Sequence, residues 1–232
     1  IGIQIWPHKT LSIGLMALSR YDMTLEGPLT ITPGSDSPFY SDDPEKMARI
    51  ANNKHKTEIS APWILGFGVN WDIAPFLELG AEFRYYINSH IDAQVTTLTE
   101  GEVLPPMLPD GLVTVKNLKN SFHTGAGLVI NPIIGLDLDL LTGFHYESTS
   151  TPDNTVEVSA PTFDLASVHG GLRYTHDQRY TLSLIYSHYW YFERKTTNST
   201  TSPPTNFTGS AYTNQLTLVF EARFADGLGV SN

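Results

Sequence analysis

Residues 76–97 read FLELGAEFRYYINSHIDAQVTT, and apolar and polar side chains alternate along the whole segment. Leu79, Phe83 and Tyr85 share one parity, whereas Glu82 and Arg84 share the other. Because successive side chains of a β-strand point to opposite sides, this pattern predicts a strand with one apolar and one polar face. The segment is much longer than the usual soluble strand of about 5–6 residues. It suits a tilted strand that crosses a bilayer, which takes roughly 9–11 residues, and then projects beyond it.

The same alternation recurs along the chain. It predicts nine strands, at residues 1–6, 11–32, 57–72, 76–97, 112–130, 134–148, 163–176, 180–194 and 209–224. The connections alternate between short turns, near positions 8, 73, 132 and 178, and long loops. Outer-membrane barrels have tight turns at one end and long loops at the other. We therefore predict an all-β, antiparallel transmembrane β-barrel whose apolar face meets lipid and whose polar face lines a lumen.

Aromatic residues fall at two heights on the predicted strands, as expected for belts at the two membrane interfaces. The group near the short turns is Trp71, Phe76, Tyr174, Tyr180 and Phe224; the group near the long loops is Trp63, Tyr85, Tyr146, Trp190 and Phe192. The alternative interpretation is a soluble β-sandwich whose apolar faces meet in a core. Strands this long and loops of such regular length are unusual in sandwiches.

Composition narrows the functional classes. The chain is 41% hydrophobic with a formal net charge of -10, so nucleic-acid binding through a basic surface is not expected. No run of about 18 apolar residues is present, which excludes a transmembrane helix. The absence of cysteine removes disulfides and thiolate metal ligands. The eight histidines show no ligand spacing, so neither a metal nor another cofactor is predicted.

Three segments resemble the FadL-type outer-membrane transporters of long-chain fatty acids and hydrophobic compounds. TLSIGLMALSRYDMTLEGPLTI resembles the family strand with an "rIGasYrS" core and an "leG" end, and APW at residues 61–63 resembles its "lP..w..G" segment. The stretch from His123 to Phe224, with YESTSTPDNTVEVSAPTFDLASVHGGLRY (residues 146–174) at its centre, resembles the final strands. The resemblance implies a fourteen-stranded barrel with an N-terminal plug, called the hatch, in the outer membrane of a bacterial cell.

The chain departs from that family pattern in two ways. Nothing in it resembles the hatch or the first strands, and nine strands do not close an antiparallel barrel with an even count. The simplest interpretation is a partial barrel over residues 1–224, holding the C-terminal part, followed by a tail at residues 225–232. The family usually ends at an aromatic residue like Phe224, which helps the barrel-assembly machinery; we expect that machinery and membrane lipids as partners.

Candidate ligand residues follow from height in the predicted lumen. Counting up from the short turns places Arg20, Arg84, His123, His145, Tyr189 and Gln215 at one level. Arg20 and Arg84 are candidates to hold a fatty-acid carboxylate by charge-assisted hydrogen bonds. The alternative is a lumen charge network in which Arg84 pairs with Glu82 or Asp22. By its order in the chain, the loop at residues 33–56 resembles one that helps form an outer capture groove; its apolar lining would be Phe39, Tyr40, Met47 and Ile50. The alternative is a solvated loop with a few buried anchors.

An enzyme is not predicted. A barrel phospholipase needs a histidine and a serine two residues apart on the lipid face, with an asparagine alongside. His188 faces outward with Asn214 beside it, but its neighbours two residues away are Tyr186 and Trp190, so there is no serine nucleophile. Two functions remain open: passive transport of long-chain fatty acids or other hydrophobic small molecules, and a structural or general diffusion porin without a dedicated ligand.

Overall fold

Antiparallel β-strands make up nearly all of the computed structural model, which describes residues 1–29, 35, 42–45, 53–100, 112–131, 137–156, 162–177, 179–201 and 204–223. In chain order the elements are β1 (Gly2–His8), β2 (Leu11–Leu18), β3 (Tyr21–Leu29), β4 (Asn53–Ala61), β5 (Trp63–Ala74), β6 (Leu77–Ile87), β7 (Ala93–Glu100), β8 (Leu112–Val115), β9 (Ser121–Ile130), β10 (Leu138–Glu147), a 3-10 turn (Asp153–Thr155), β11 (Leu165–His176), β12 (Tyr180–Thr196) and β13 (Phe207–Ala222).

A nine-stranded sheet contains β1, β2, β5, β6, β9, β10, β11, β12 and β13 in that order. Each strand pairs antiparallel with the next one in the order, and these strands correspond to the nine predicted from the alternation. The short connections 9–10, 75–76, 131–137 and 177–179 alternate with long ones, as predicted. Within the described residues β1 and β13 are the two edges, so the sheet does not close on itself.

Four of the predicted long strands are interrupted, so the prediction that each is one continuous strand is wrong. The breaks fall at residues 19–20, 62, 88–92 and 116–120. Beyond them, β3, β4, β7 and β8 form a separate four-stranded sheet in that order. Its order matches that of β2, β5, β6 and β9, so we call it the distal sheet, an extension of the wall at the long-loop end. Because β4 begins at Asn53, the predicted loop 33–56 is also shorter than expected.

The break at residues 88–92 changes the phase of the alternation. Trp63 pairs with Ile87 below the break, and Glu58 pairs with Val95 above it. The path from Trp63 to Glu58 is five residues, whereas that from Ile87 to Val95 is eight, a surplus of three on one side. An odd surplus moves side chains to the opposite face. Val95 therefore shares a face with Glu58, so the alternations predicted for residues 57–72 and 76–97 do not both continue across the breaks.

The apolar faces of the large sheet point outward. Among the described residues, the buried hydrophobic side chains are only Val156 and Ala166, whereas Phe83 is 42% exposed and Leu184 is 45% exposed. A soluble sandwich of this length would bury these side chains in a core. The soluble alternative is therefore excluded for this sheet.

Aromatic rings contact one another across the outward face near the long loops. Ring centroids are 6.0 Å apart for Phe83 and Phe122, 5.5 Å for Phe122 and Tyr146, and 6.4 Å for Tyr146 and Phe192. Toward the short turns, Tyr180 stacks on Phe220 at 6.3 Å. The rings thus lie at the two predicted heights, with Phe224 outside the described residues. In the part of the chain that the structure describes, no helix has the length and apolar character needed to cross a membrane.

Candidate functional site: a polar ladder on the inner wall

A row of polar side chains crosses the inner face of five adjacent strands, from β6 to β12. We call this row the polar ladder; its members are Glu82, His123, His145, Ser167, His169 and Ser187. The alternation that turns apolar residues outward necessarily turns these residues inward. The pairing register then sets neighbours side by side, because Glu82 is opposite Gly125, Gly125 opposite His145, and His145 opposite Ser167.

Glu82 lies at the centre of the charged end of the ladder. Its carboxylate accepts a hydrogen bond from Arg84 Nη2 at 2.8 Å and another from His123 Nε2 at 2.8 Å. A carboxylate of this kind only accepts, so His123 donates from Nε2, and its Nδ1 can act as an acceptor. Nδ1 in turn lies 3.2 Å from Nε2 of His145.

The neutral end of the ladder continues through serine hydroxyls. Ser167 Oγ lies 3.5 Å from Nδ1 of His145 and 2.9 Å from Nε2 of His169. Nδ1 of His169 lies 2.7 Å from Ser187 Oγ, and the ring of Tyr189 meets that of His169 edge-on at 5.7 Å. Ser167 and Ser187 are buried, so their hydroxyls need these partners. The ladder is therefore a connected network that fixes the inner side chains of five strands.

Glycines leave open space beside the ladder. Five of them, which we call the glycine floor, line a cavity of about 630 Å³ together with Glu82, His123, His145 and His169: Gly14, Gly68, Gly80, Gly125 and Gly127. Gly14 pairs with Gly68, and Gly80 pairs with Gly127, so the floor extends across neighbouring strands. Glycine weakens a strand interior because it packs no side chain. Its repetition here places a hollow in front of the histidines.

Arg84 borders a second hollow of about 470 Å³, which it lines with Gln4, Met16, Gly66 and Glu82. The Arg84 side chain is 43% exposed, so its guanidinium faces this space while Nη2 contacts Glu82. Of the two predicted pairings, the one with Glu82 is confirmed. The carboxylate of Asp22 instead accepts from Ser60 Oγ at 2.6 Å.

The predicted level of six residues is only partly assembled. Arg84, His123 and His145 are brought together, and Tyr189 contacts the ladder through His169. Arg20 is exposed at the break between β2 and β3, four residues beyond Met16, the residue in the register row of Arg84. Four residues correspond to about 13 Å along a strand. Counting heights failed here because the strands start at different levels: Leu11, the first residue of β2, is in the register row of Leu79, two residues into β6.

The other predicted ligand residues, Phe39, Tyr40, Met47 and Ile50, lie outside the described residues. Their role in a capture groove stays a prediction. The same holds for Arg20 and Arg84 as carboxylate ligands.

The outward cluster on β12 and β13 has the predicted neighbours. Asn214 Oδ1 lies 2.6 Å from His188 Nδ1 and accepts from Tyr186 Oη at 2.7 Å. The ring of Trp190 contacts that of His188 at 4.3 Å. A hydroxyl of tyrosine, rather than serine, thus occupies the third position of this cluster.

A buried arginine at the end of β12 was missed by the sequence reasoning. Arg194 donates to Asp153 Oδ1 at 3.0 Å, to Thr162 Oγ1 at 3.0 Å and to the carbonyl oxygen of Thr151. Thr196 Oγ1 donates to the carbonyl of Asp153 at 2.9 Å. These bonds attach the connection between β10 and β11 to the long-loop end of β12. Only the three-dimensional course of that loop reveals them.

Comparison with known proteins places the fold. No family model matches the chain, and no curated protein matches it in sequence. The crystal structure of a Pseudomonas aeruginosa FadL homologue matches with a TM-score of 0.63 at 13% identity, over 94% of this chain and 50% of that one. The CymD monoaromatic hydrocarbon channel matches with a TM-score of 0.56 at 11% identity, over 97% of this chain and 51% of that one.

The chain therefore spans about half the length of the solved structures it matches. The similarity confirms the predicted fold class, an antiparallel transmembrane β-barrel, and the chain shares its fold with about half of the FadL homologue. The nine-stranded sheet is a partial, unclosed form of that barrel.

Proposed function

We propose that this chain is part of a channel that carries hydrophobic small molecules across a bacterial outer membrane. The observation that carries the proposal is the fold shared with a FadL homologue and with a monoaromatic hydrocarbon channel over nearly the whole chain. Both are transport or channel proteins by fold family or by name, which favours passage of a solute over an enzymatic reaction.

The outward surface supports the membrane location. Tyr180 and Trp190 mark the two aromatic heights on β12, with Leu182, Leu184 and Tyr186 exposed between them. At about 3.3 Å per residue and a tilt of about 40°, this separation covers about 25 Å of depth, the height of the apolar band in outer-membrane barrels. Membrane lipids would contact this band, and the barrel-assembly machinery would insert it.

Long-chain fatty acids are the substrates we favour within the hydrophobic class. Arg84 carries a positive charge at the border of a hollow. A guanidinium has five N–H donors, and the bond to Glu82 is made by the Nη2 group of Arg84. A fatty-acid carboxylate could share the guanidinium with Glu82. In this proposal Arg20 and the loop residues Phe39, Tyr40, Met47 and Ile50 contact the substrate before it reaches Arg84.

Uptake assays test both the transport of hydrophobic molecules and the role of Arg84 in binding fatty acids. Cells that lack their own hydrophobic-uptake channel are supplied with the protein and with labelled oleate, oleyl alcohol, toluene or arabinose. We expect faster entry of oleate, oleyl alcohol and toluene, with arabinose unchanged. Arg84→Gln should slow oleate several-fold and leave oleyl alcohol unchanged, because only oleate has a carboxylate to bind.

A matched control is Arg173→Gln, which removes another inner-face arginine, one that donates to Asp139 Oδ2 at 2.7 Å near the short turns. It should leave the ratio of oleate to oleyl alcohol unaltered. Equal acceleration of arabinose and the hydrophobic compounds would instead support the alternative, a general diffusion porin. An unchanged oleate rate in Arg84→Gln would remove Arg84 from the substrate path.

A further inference from the structure

We propose that His123, His145 and Glu147 bind a divalent transition-metal ion on the inner wall, a site independent of the transport proposal. Among the described residues, these three form a group whose ligand atoms all lie within 4.8 Å of one another. Sequence spacing does not reveal this group, because His123 lies on β9 and the other two residues lie on β10. The register joins them, since His123 on β9 pairs directly with Glu147 on β10.

The two imidazoles already have the separation of neighbouring metal ligands. Nδ1 of His123 and Nε2 of His145 are 3.2 Å apart, and bonds of about 2.0–2.1 Å from each to one ion imply an N–metal–N angle of about 100°. That angle is close to tetrahedral. The ring centroids are 4.2 Å apart and the ring planes are tilted by 38°, so the rings overlap rather than meet end to end. An ion bound between the two nitrogens would replace the hydrogen bond that they share.

The groups behind His123 have the arrangement that metal-binding histidines usually have. A ligating histidine typically donates its other ring N–H to a carboxylate, which fixes the tautomer and raises ligand basicity. Here Nε2 of His123 donates to Glu82 Oε1 at 2.8 Å, so Nδ1 is left as the ligand atom. Arg84 holds Glu82 in place through its second oxygen. Two ligand nitrogens, a ligand carboxylate and a supporting carboxylate are thus present.

The donor set selects the class of ion. Two imidazoles and one carboxylate suit Zn²⁺, Cu²⁺ or Ni²⁺, whereas Mg²⁺ and Ca²⁺ prefer oxygen ligands alone. Glu147 is exposed, so its carboxylate can turn toward the ion without leaving a packed core. His123 and His145 line the cavity above the glycine floor, so the remaining coordination positions face the open hollow.

Copper and zinc titrations of the purified chain in detergent micelles test the site. One equivalent of Cu²⁺ should give an electron paramagnetic resonance spectrum with coupling to two imidazole nitrogens, also in protein loaded with Zn²⁺ beforehand, because Cu²⁺ binds nitrogen and oxygen ligands more tightly than Zn²⁺. This measurement needs no variant. The His145→Ala and His123→Ala proteins should each lose the two-nitrogen signal, and Glu82→Gln should weaken binding by about 10–100-fold.

His188→Gln is the control, since His188 faces outward beside Trp190 and belongs neither to the ladder nor to the group of three. It should leave Cu²⁺ and Zn²⁺ affinity unchanged. Retention of β-sheet circular dichroism and of heat-modifiable electrophoretic mobility checks that each variant folds. The proposal is overturned if the wild-type spectrum shows no two-nitrogen coupling, or if His145→Ala binds both metals as tightly as wild type.

Discussion

Arg194 is the charged side chain that the described part of the chain buries most completely, with 6% exposed. Thr196, two residues further along β12, is 2% exposed, and Val156, three residues after the Arg194 partner Asp153, is fully buried. This small packed region contrasts with the rest of the molecule, where apolar side chains face outward. The buried hydrogen bonds of Arg194 hold the loop between β10 and β11 in place, as a hydrophobic core would in a soluble domain.

Replacing Arg194 with methionine should destabilise that loop. The carbonyls of Thr151 and Thr162 would lose their donor inside a packed region, at a cost of about 2–3 kcal/mol. Hydrogen exchange at residues 149–156 should accelerate, while exchange in β11 and β12 stays slow. Lys195→Met, at the exposed next position, is the control. Equal exchange in the two variants would mean that Arg194 does not hold the loop.

At the level of strands, adjacent glycines in β11 have opposite surroundings. A Cβ added to Gly171 would lie 2.6 Å from the carbonyl oxygen of Leu184, whereas one added to Gly170 would meet nothing within 4 Å. Gly171 therefore permits close approach of β11 and β12, and Gly170 does not serve that purpose.

Two alanine substitutions should consequently change stability in opposite directions. Gly171→Ala forces the backbones of β11 and β12 apart and should cost about 1–3 kcal/mol. Gly170→Ala restricts the unfolded chain without a clash and should stabilise by about 0.4–1 kcal/mol. Urea unfolding in lipid or detergent measures both. A stabilising effect of Gly171→Ala would show that the close approach to Leu184 is not required.

The strands themselves were predictable because alternation has a strict period, as in β12, where Leu182, Leu184 and Tyr186 all face outward. The positions of the breaks within the strands could not be predicted in the same way. Pro62 is a visible interruption, but at residues 88–92 the hydrophobic pattern continues past the break. There Asn88 Nδ2 donates to Ser121 Oγ at 3.0 Å, a contact 33 positions apart in sequence. Such long-range contacts depend on register, which also explains why the group of His123, His145 and Glu147 was not foreseen.

At the level of the whole molecule, the membrane orientation rests on which face of the sheet is apolar. Leu184 lies on β12 between the two aromatic heights and points outward, whereas Gln215 on β13 lies opposite buried Ser187 in the inner row. Leu184 therefore faces lipid and Gln215 faces the lumen, and the two residues lie on neighbouring strands.

Lysine at these two positions should distinguish the faces. Leu184→Lys places a charge against hydrocarbon and should cost about 2–4 kcal/mol. Gln215→Lys places the same charge in the polar lumen and should cost less than about 1 kcal/mol. Reversible unfolding from phospholipid vesicles measures both free energies. Similar penalties at the two positions would contradict the outward orientation of the apolar face.

The four strand interruptions lie along one line across the wall, and this line acts as a crease. A continuous ladder of backbone hydrogen bonds makes a pleated sheet stiff, so bending concentrates where the ladder is absent. At this level a few contacts, such as the bond from Ser89 N to Asn120 Oδ1 at 3.0 Å, replace it. Bending of the wall is therefore expected to concentrate at the crease, between the distal sheet and the strands that carry the histidines.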